Sequence, residues 1–152
     1  MRRAACGVLL AGCAASQAGV PAAELSPEGP PVLMIVSGVT LDRDRMAAYS
    51  RALAESRLYE EAGGYYLNAP RPVAVFEGEV PDDFVSLIVR FPSRAAAERF
   101  WRSETYQREI KPLREAPSAG DYTVTVYEEA PVPSYMAGRV TPPAYRDAGP
   151  GR

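Results

Sequence analysis

Apolar and polar positions follow each other along this chain in patterns that predict a regular order of strands and helices. Residues 32–36 are an unbroken apolar run directly after Pro31, and such a run predicts a strand with little contact to water. Asp42 is a suitable N-cap for a helix that ends at Gly63 and Gly64. The apolar residues at helical spacing in this helix are Met46, Tyr49 and Leu53.

The middle of the chain predicts further strands. Residues 65–67 and 73–76 are mostly apolar or aromatic, and they flank residues 68–72, whose Asn-Ala-Pro-Arg-Pro sequence predicts a turn. Residues 84–91 form another apolar run and predict a longer strand. If residues 65–67 and 73–76 count as one bent strand, the chain has three strands up to this point.

The last third of the chain predicts a second helix and a final strand. Ser93 follows Pro92 and is suited to cap a helix that carries apolar i,i+4 pairs. Pro112 leaves the end of this helix open, because proline disrupts a helix interior. Asp121 begins a strand whose side chains alternate between two faces. One face of that strand carries Tyr122, Val124 and Val126.

The predicted order is β-α-β-β-α-β, which is the ferredoxin-like arrangement. The fold class is therefore α+β, with an antiparallel sheet and both helices on one face. The other face should then be polar, yet residues 32–36 and 84–89 are apolar at nearly every position. Because a monomer would expose this patch, we expect a homodimer in which two sheets pack together as a dimeric α+β barrel. The alternative is a monomer whose open face is covered by Tyr135, Met136 and Tyr145.

Length and composition narrow the classes of function. The 152 residues have room for one domain, and a chain with 47% hydrophobic and 24% charged residues is ordinary for a globular protein. The net charge of −2 argues against a nucleic acid as partner. The chain has no histidine, and its two cysteines, Cys6 and Cys13, precede the predicted domain. We therefore expect no metal site and no cofactor.

The first residues have the features of an export signal. Arg2 and Arg3 precede an apolar stretch, residues 4–12, that is far shorter than the roughly 20 residues needed to span a bilayer. The Leu-Ala-Gly-Cys sequence that ends at Cys13 resembles the lipobox of bacterial lipoproteins, and this resemblance implies that Cys13 is lipidated. The alternatives are an ordinary signal peptide with a chance cysteine and a cytosolic start with an apolar tail. Since Ala14 is not aspartate, the resemblance favours the outer membrane, facing the periplasm, over the inner membrane.

The chain therefore divides into four parts. Residues 1–12 are the predicted lipoprotein signal peptide, and residues 13–31 are the lipidated cysteine and a flexible tether. Residues 32–130 are the ferredoxin-like domain, and residues 131–152 are a C-terminal tail rich in proline and glycine. We expect the lipid anchor to be the only contact with the membrane.

Several short motifs follow one another in a characteristic order along the predicted domain. They are Gly63-Gly64, Val75-Phe76-Glu77-Gly78, Phe91-Pro92-Ser93, Ser103-Glu104-Thr105-Tyr106 and Leu113-Arg114. Together they resemble the domain of unknown function 1330 family, a group of dimeric α/β-barrel proteins, and the resemblance spans residues 33–130. Glu104, Thr105 and residues 68–72 depart from the family pattern, and the lipoprotein leader is unusual for it. The resemblance implies the fold and the dimer, and it carries over no general activity.

The candidate pocket lies between the sheet and the helices and combines aromatic and cationic residues. An unpaired charge inside an apolar strand is costly, so Arg90 requires an acceptor, either at the dimer seam or in a cavity beneath the helices. Aromatic residues at these spacings are more often part of the core. The selected pocket residues are Tyr66, Arg90, Trp101, Tyr106 and Arg114.

Two other groups of residues have both a chemical and a structural interpretation. Asn68 and Trp101 are the only residues of their types, and cofactor-free monooxygenases of the related dimeric-barrel superfamily use such residues to bind an aromatic substrate. We favour a turn role for Asn68 and a core role for Trp101. Glu77 and Glu79 lie close to residues 81–83 and resemble a carboxylate cluster for acid-base work or a hard cation. We favour a solvated acidic loop.

Two functions from different classes are consistent with the sequence. We favour a non-catalytic envelope module, anchored to the membrane, that binds a small molecule or another protein. The alternative is a cofactor-independent enzyme, monooxygenase-like or isomerase-like, that acts on a small aromatic or carbonyl compound. The lack of an evident nucleophile, histidine or metal set favours the binding module.

Overall fold

The fold is an antiparallel sheet whose one face is covered by helices. The computed structural model describes residues 29–136, 138 and 139. The strands are β1 (Val32–Thr40), β2 (Tyr65–Tyr66), β3 (Phe84–Phe91) and β4 (Gly120–Glu128). Their order across the sheet is β2-β3-β1-β4, so β1 is central and pairs antiparallel with both β3 and β4. This arrangement confirms the predicted α+β, ferredoxin-like fold class.

The covering layer consists of short helices. The helices are α1 (Arg43–Ser56), α2 (Leu58–Glu61), α3 (Arg94–Arg102) and α4 (Pro112–Glu115). A π-helical turn, Tyr106–Ile110, connects α3 to α4, and a 3-10 turn, Ser134–Met136, follows the last strand. No helix in the described part of the chain is long and apolar enough to cross a membrane.

The side chains of the sheet alternate between a helix-covered face and an open face. Val89 and Phe91 of β3 are fully buried under the helices, together with Met34 of the central strand. The register places Ile35 opposite Ile88, and these two residues belong to the open face. The hydrophobic core therefore lies on one side of the sheet only. Its buried members are Val32, Met34, Leu53, Val89, Phe91, Ala96, Ala97, Phe100, Tyr106 and Ile110.

The predicted helix starts are confirmed by their caps. The Asp42 carboxylate accepts a hydrogen bond from the backbone N–H of Arg45 at 3.0 Å, and Ser93 Oγ accepts one from Ala96 N–H at 3.1 Å. The first helix does not run unbroken to the glycine pair, because Arg57 adopts a left-handed φ of 55° and separates α1 from α2. Gly63, with φ of 70°, then turns the chain toward β2.

The predicted strand at residues 73–76 is wrong. These residues form a loop, and the side chains of Val73 and Phe76 are fully exposed. The free edge of β3 is already occupied by residues of the preceding turn. Asn68 bonds the carbonyl of Ser86 at 2.7 Å, and the carbonyl of Pro70 accepts a hydrogen bond from Ser86 N–H at 2.8 Å. The chain therefore leaves the sheet before residue 73 and returns only at β3.

Some predictions concern residues that lie outside the described part of the chain. The predicted signal peptide, Cys13 and most of the tether precede residue 29, and Tyr145 lies beyond the last described residue. Tyr135, which the monomer alternative places across the open face of the sheet, is 72% exposed. Its side chain therefore does not cover that face in the described arrangement.

Candidate binding site

A cavity of about 180 Å³ lies between the helix-covered face of the sheet and the helices. Apolar side chains of β1, β3 and β4 line it from the sheet, and residues of α1 line it from the opposite side. Its polar lining consists of hydroxyl groups and one cation, and none of the described lining residues is a carboxylate. The polar lining residues are Tyr49, Ser50, Tyr59, Tyr66, Tyr106, Arg114 and Tyr122.

Six different elements supply the tyrosines and the arginine of this lining. Because each element contributes one side chain, the site exists only when the whole domain is folded. The contributions are Tyr49 from α1, Tyr59 from α2, Tyr66 from β2, Tyr106 from the π-helical turn, Arg114 from α4 and Tyr122 from β4.

The π-helical turn sets the direction of the two most buried polar side chains of the cavity lining. Helix α3 ends because Ser103 takes an extended ψ of 143°, and its hydroxyl then accepts a hydrogen bond from Tyr106 N–H. Lys111 N–H donates to the carbonyl of Tyr106, five residues back, at 2.8 Å. Pro112 begins α4, where a missing N–H costs nothing. As a result Tyr106 and Arg114 both line the cavity, and they are 1% and 8% exposed.

Arg114 is held by aromatic rings rather than by a carboxylate. Its guanidinium carbon lies 5.4 Å from the ring centre of Tyr49 and 5.9 Å from that of Tyr122. Its Nη2 atom is 3.5 Å from the hydroxyl of Tyr106, and its Nε atom is buried without a hydrogen-bond partner. Burial is the largest influence on the pKa of Arg114 and lowers it, but the neighbouring Tyr106, Tyr49 and Glu115 leave this pKa above its ordinary value.

The hydroxyls of Tyr49 and Tyr59 in the cavity remain protonated near neutral pH. The hydroxyls of Tyr49 and Tyr106 are 3.2 Å apart, and the rings of Tyr59 and Tyr66 meet edge to face at 5.2 Å. Burial raises the pKa of Tyr49 and of Tyr59 far above that of a free tyrosine, and neighbouring tyrosines raise both further. These groups therefore act as neutral hydrogen-bond donors and acceptors, not as bases, near neutral pH.

Four of the five predicted pocket residues line this cavity, namely Tyr66, Trp101, Tyr106 and Arg114. Including Arg90 among them was wrong, because strand alternation directs Arg90 to the open face while Val89 and Phe91 face the helices. There Arg90 bonds the carboxylate of Glu129 at 2.8 Å and lies over the ring of Tyr65 at 5.9 Å. The acceptor that Arg90 requires is thus a protein carboxylate at the edge of the open face.

The other candidate residues have structural partners. The Asn68 side chain bonds both the carbonyl of Ser86 and the N–H of Ile88, so it continues the pairing along β3, as the favoured turn role implies. The acidic loop is exposed at Glu77 and Glu79, and Asp83 pairs with an arginine of α1. Among the described residues, no group of three or more His, Cys, Asp or Glu side chains is placed to hold a metal ion.

A larger and more open groove lies between α3 and β4. Its volume is about 630 Å³, and its floor includes Val124 and Val126. Three of the charged residues on its rim are paired with each other, since Glu98 bonds Arg94 at 2.8 Å and lies 3.8 Å from Arg102. We regard the smaller cavity as the candidate site, because its cation has no ion-pair partner among the described residues and it is less open than the groove.

Sequence reasoning missed three of the cavity tyrosines. Tyr49 recurs at helical spacing with the core residues of α1, and Tyr122 shares a strand face with Val124, so both patterns predict an inward direction. Neither pattern distinguishes a core position from a cavity wall. Tyr59 lies beyond the break at Arg57, which has no signal in the sequence that we recognise.

The fold and the cavity define a ferredoxin-like α+β domain whose cavity beneath the helices has apolar walls with several hydroxyl groups and one guanidinium. The family model described as Domain of unknown function (DUF1330) matches residues 31–127. This chain belongs to that family, as the motifs of its sequence predict.

Solved structures resemble this chain over about two thirds of its length. A protein of unknown function from Rhodopseudomonas palustris is 19% identical, covers 68% of this chain and 85% of its own, and has a TM-score of 0.48. SnoaB, a cofactor-independent oxygenase from Streptomyces nogalater, is 10% identical, with coverage of 68% and 97% and a TM-score of 0.46. A conserved protein from Methanosarcina mazei Go1 is 12% identical, with coverage of 66% and 94% and a TM-score of 0.44. No curated protein matches the chain.

The raised pKa values of Tyr49 and Tyr59 predict a loss of stability at alkaline pH. A free tyrosine ionises near pH 10, so these residues stabilise the fold fully below about pH 10 and progressively less as the pH rises further. Ultraviolet titration should show their ionisation only together with unfolding. Tyr49→Phe should move the onset of alkaline unfolding to higher pH, whereas Tyr135→Phe, at an exposed position, should not. Complete tyrosine ionisation near pH 10 with an intact fold would contradict this.

Proposed function

We propose that this protein is a membrane-anchored envelope module that binds a small molecule in the cavity between the sheet and the helices. The observation that carries the proposal is the cavity of about 180 Å³, whose walls present hydroxyl groups and a guanidinium. An apolar cavity of about 150 Å³ is large enough to hold benzene. A compound with one ring, or an aliphatic compound of similar size, therefore fits this space.

A binding role accounts for the lining better than catalysis does. General acid-base catalysis uses a group whose pKa lies near the working pH. The pKa values of Tyr49 and Tyr59 are raised far beyond this range by burial, and the described lining residues include no carboxylate. The sequence has no histidine. The alternative, a monooxygenase-like or isomerase-like enzyme that deprotonates an aromatic or carbonyl substrate, would need a base that this lining does not supply.

The membrane anchor in this proposal is supported by the sequence of the leader. Arg2 and Arg3, the apolar residues 4–12 and the lipobox-like ending at Cys13 form the pattern of an exported lipoprotein. A lipid on Cys13 would hold the domain at the membrane through the tether. Ala14 favours the outer membrane with the domain facing the periplasm.

The homodimer in this proposal is supported by the open face of the sheet. Leu33, Ile35 and Ile88 lie on this face, and none of the helices in the described part of the chain covers them. Tyr65 and Tyr127 on the same face are each about half exposed. An apolar sheet face of this kind is typical of an association surface, and a second copy packed on it would complete the α+β barrel.

Mass spectrometry of the mature domain, purified under native conditions, tests the binding role. We expect a small compound to remain with the wild-type protein and to be lost from Val36→Trp, which places a large side chain into the cavity. Val132→Trp, at an exposed position after β4, is the matched control and should keep the compound. The proposal fails if the wild type retains no compound and no single-ring compound in a screen raises its melting temperature.

Substitution of the predicted lipidation site tests the anchor. Cys13→Ser removes the thiol that carries the lipid, so we expect the full-length protein to leave the membrane fraction or to accumulate unprocessed. Cys6→Ser is the matched control and should fractionate as the wild type does. Normal processing and membrane association of Cys13→Ser would rule out a lipid on this residue.

A charge on the open face tests the dimer. We expect the domain to sediment as a dimer at micromolar concentration, and Ile88→Glu to weaken the dimer at least tenfold, because the glutamate would be buried at the seam. Ile88→Glu should keep its helical circular dichroism. Val89 is the next residue along the strand and lies on the helix-covered face, so Val89→Glu should instead unfold the domain. A wild-type monomer would exclude the dimer.

A further inference from the structure

Arg114 is a buried cation, and no carboxylate of the described residues forms an ion pair with it. A buried guanidinium without a paired anion is costly, and proteins usually compensate it with a carboxylate. Glu115, the nearest carboxylate in the chain, bonds Lys111 at 3.2 Å instead. The polar groups around Arg114 inside the cavity are tyrosine hydroxyls rather than carboxylates. The described lining of the cavity therefore carries one positively charged group and no carboxylate.

We propose that the ligand of this cavity is a single-ring aromatic carboxylate, whose carboxylate group binds the guanidinium of Arg114. This inference rests on the proposed binding function and specifies the chemical class of the ligand. The planar fork of a guanidinium matches the two oxygens of a carboxylate, and charge-assisted hydrogen bonds of this kind are stronger than neutral ones. The buried N–H at Nε of Arg114 has no acceptor among the described residues and is therefore available to donate to a carboxylate oxygen of a ligand.

The walls of the cavity fit a flat ring. Tyr106 lies between two other aromatic residues, with ring-centre distances of 4.7 Å to Phe100 and 5.3 Å to Trp101. Aromatic rings pack favourably against such surfaces in stacked or edge-to-face geometry. The volume of about 180 Å³ leaves room for one ring, since about 150 Å³ holds a benzene molecule.

Arg45 shows that a buried Nε alone does not define this site. Its Nε atom is also buried without a partner, yet its Nη2 atom donates to the carbonyl of Leu113 at 3.1 Å and its side chain does not line the cavity. Among the described residues, Arg114 is the arginine that combines an unpaired Nε with a place in the cavity wall.

Calorimetric titration with benzoate and with benzamide, its neutral isostere, tests the inference on the mature protein at neutral pH. We expect the wild type to bind benzoate at least about tenfold more tightly than benzamide, because only benzoate forms charge-assisted hydrogen bonds. Arg114→Gln should bring this ratio close to one while benzamide still binds. Arg114→Lys keeps the charge without the planar fork, so it should give an intermediate ratio. Arg108→Gln removes the same charge at an exposed position of the π-helical turn that precedes α4, and it should keep the wild-type ratio.

The outcomes separate this inference from the proposed function. Equal binding of the two compounds by the wild type, or a wild-type ratio retained by folded Arg114→Gln, would overturn the anionic ligand and leave the binding function intact. Binding of neither compound by the wild type would overturn the inference, and the co-purification experiment would then decide the binding function. The comparison of benzoate with benzamide on the wild type needs no variant, so it tests whether the cavity prefers an anionic ligand even if Arg114→Gln does not fold.

Discussion

The alternation of side chains along the central strand is the constraint on which the other features depend. Because β1 pairs with β3 and β4 over almost its whole length, each of its residues and each of their partners is assigned to one face of the sheet. Met34 and Val36 go to the side with the core and the cavity, and Leu33 and Ile35 go to the open side. A shift of one residue in this register would exchange the two faces and destroy both surfaces together.

The parts of the fold that the sequence predicts are those with strong local signals. The strand from Phe84 to Phe91 and the caps at Asp42 and Ser93 are of this kind, since each depends on a few adjacent residues. Residues 73–76 also have the local pattern of a strand, but a strand must pair with the edge of a neighbouring strand. The edge of β3 is already bonded to the turn at Asn68, so it is not available to residues 73–76. Competition for a pairing edge is a tertiary effect, and short-range patterns do not contain it.

The candidate site likewise has features that local sequence signals predict and features that depend on tertiary packing. Tyr106 and Arg114 lie within family motifs, and their aromatic and cationic character is visible in the sequence. Arg90 has the same character and lies on the other face, because one position of strand alternation separates it from Val89. Because β3 is almost wholly apolar, its sequence does not show which of its two faces the helices cover. Only the packing of the helices distinguishes the two faces. The lack of a carboxylate in the described cavity lining near Arg114 likewise depends on distances between elements far apart in the chain.

The π-helical turn between α3 and α4 has a consequence for how this region tolerates change. Each residue of a helix advances the side-chain direction by roughly 100°, so the insertion or deletion of a single residue here would rotate α4 by about that angle relative to Tyr106. Arg114 would then no longer face the cavity. The segment between these two residues accepts substitutions on its exposed side, as at Arg108, but not a change in length. The exposed loop before β3 contributes few residues to the cavity and is free of this restriction.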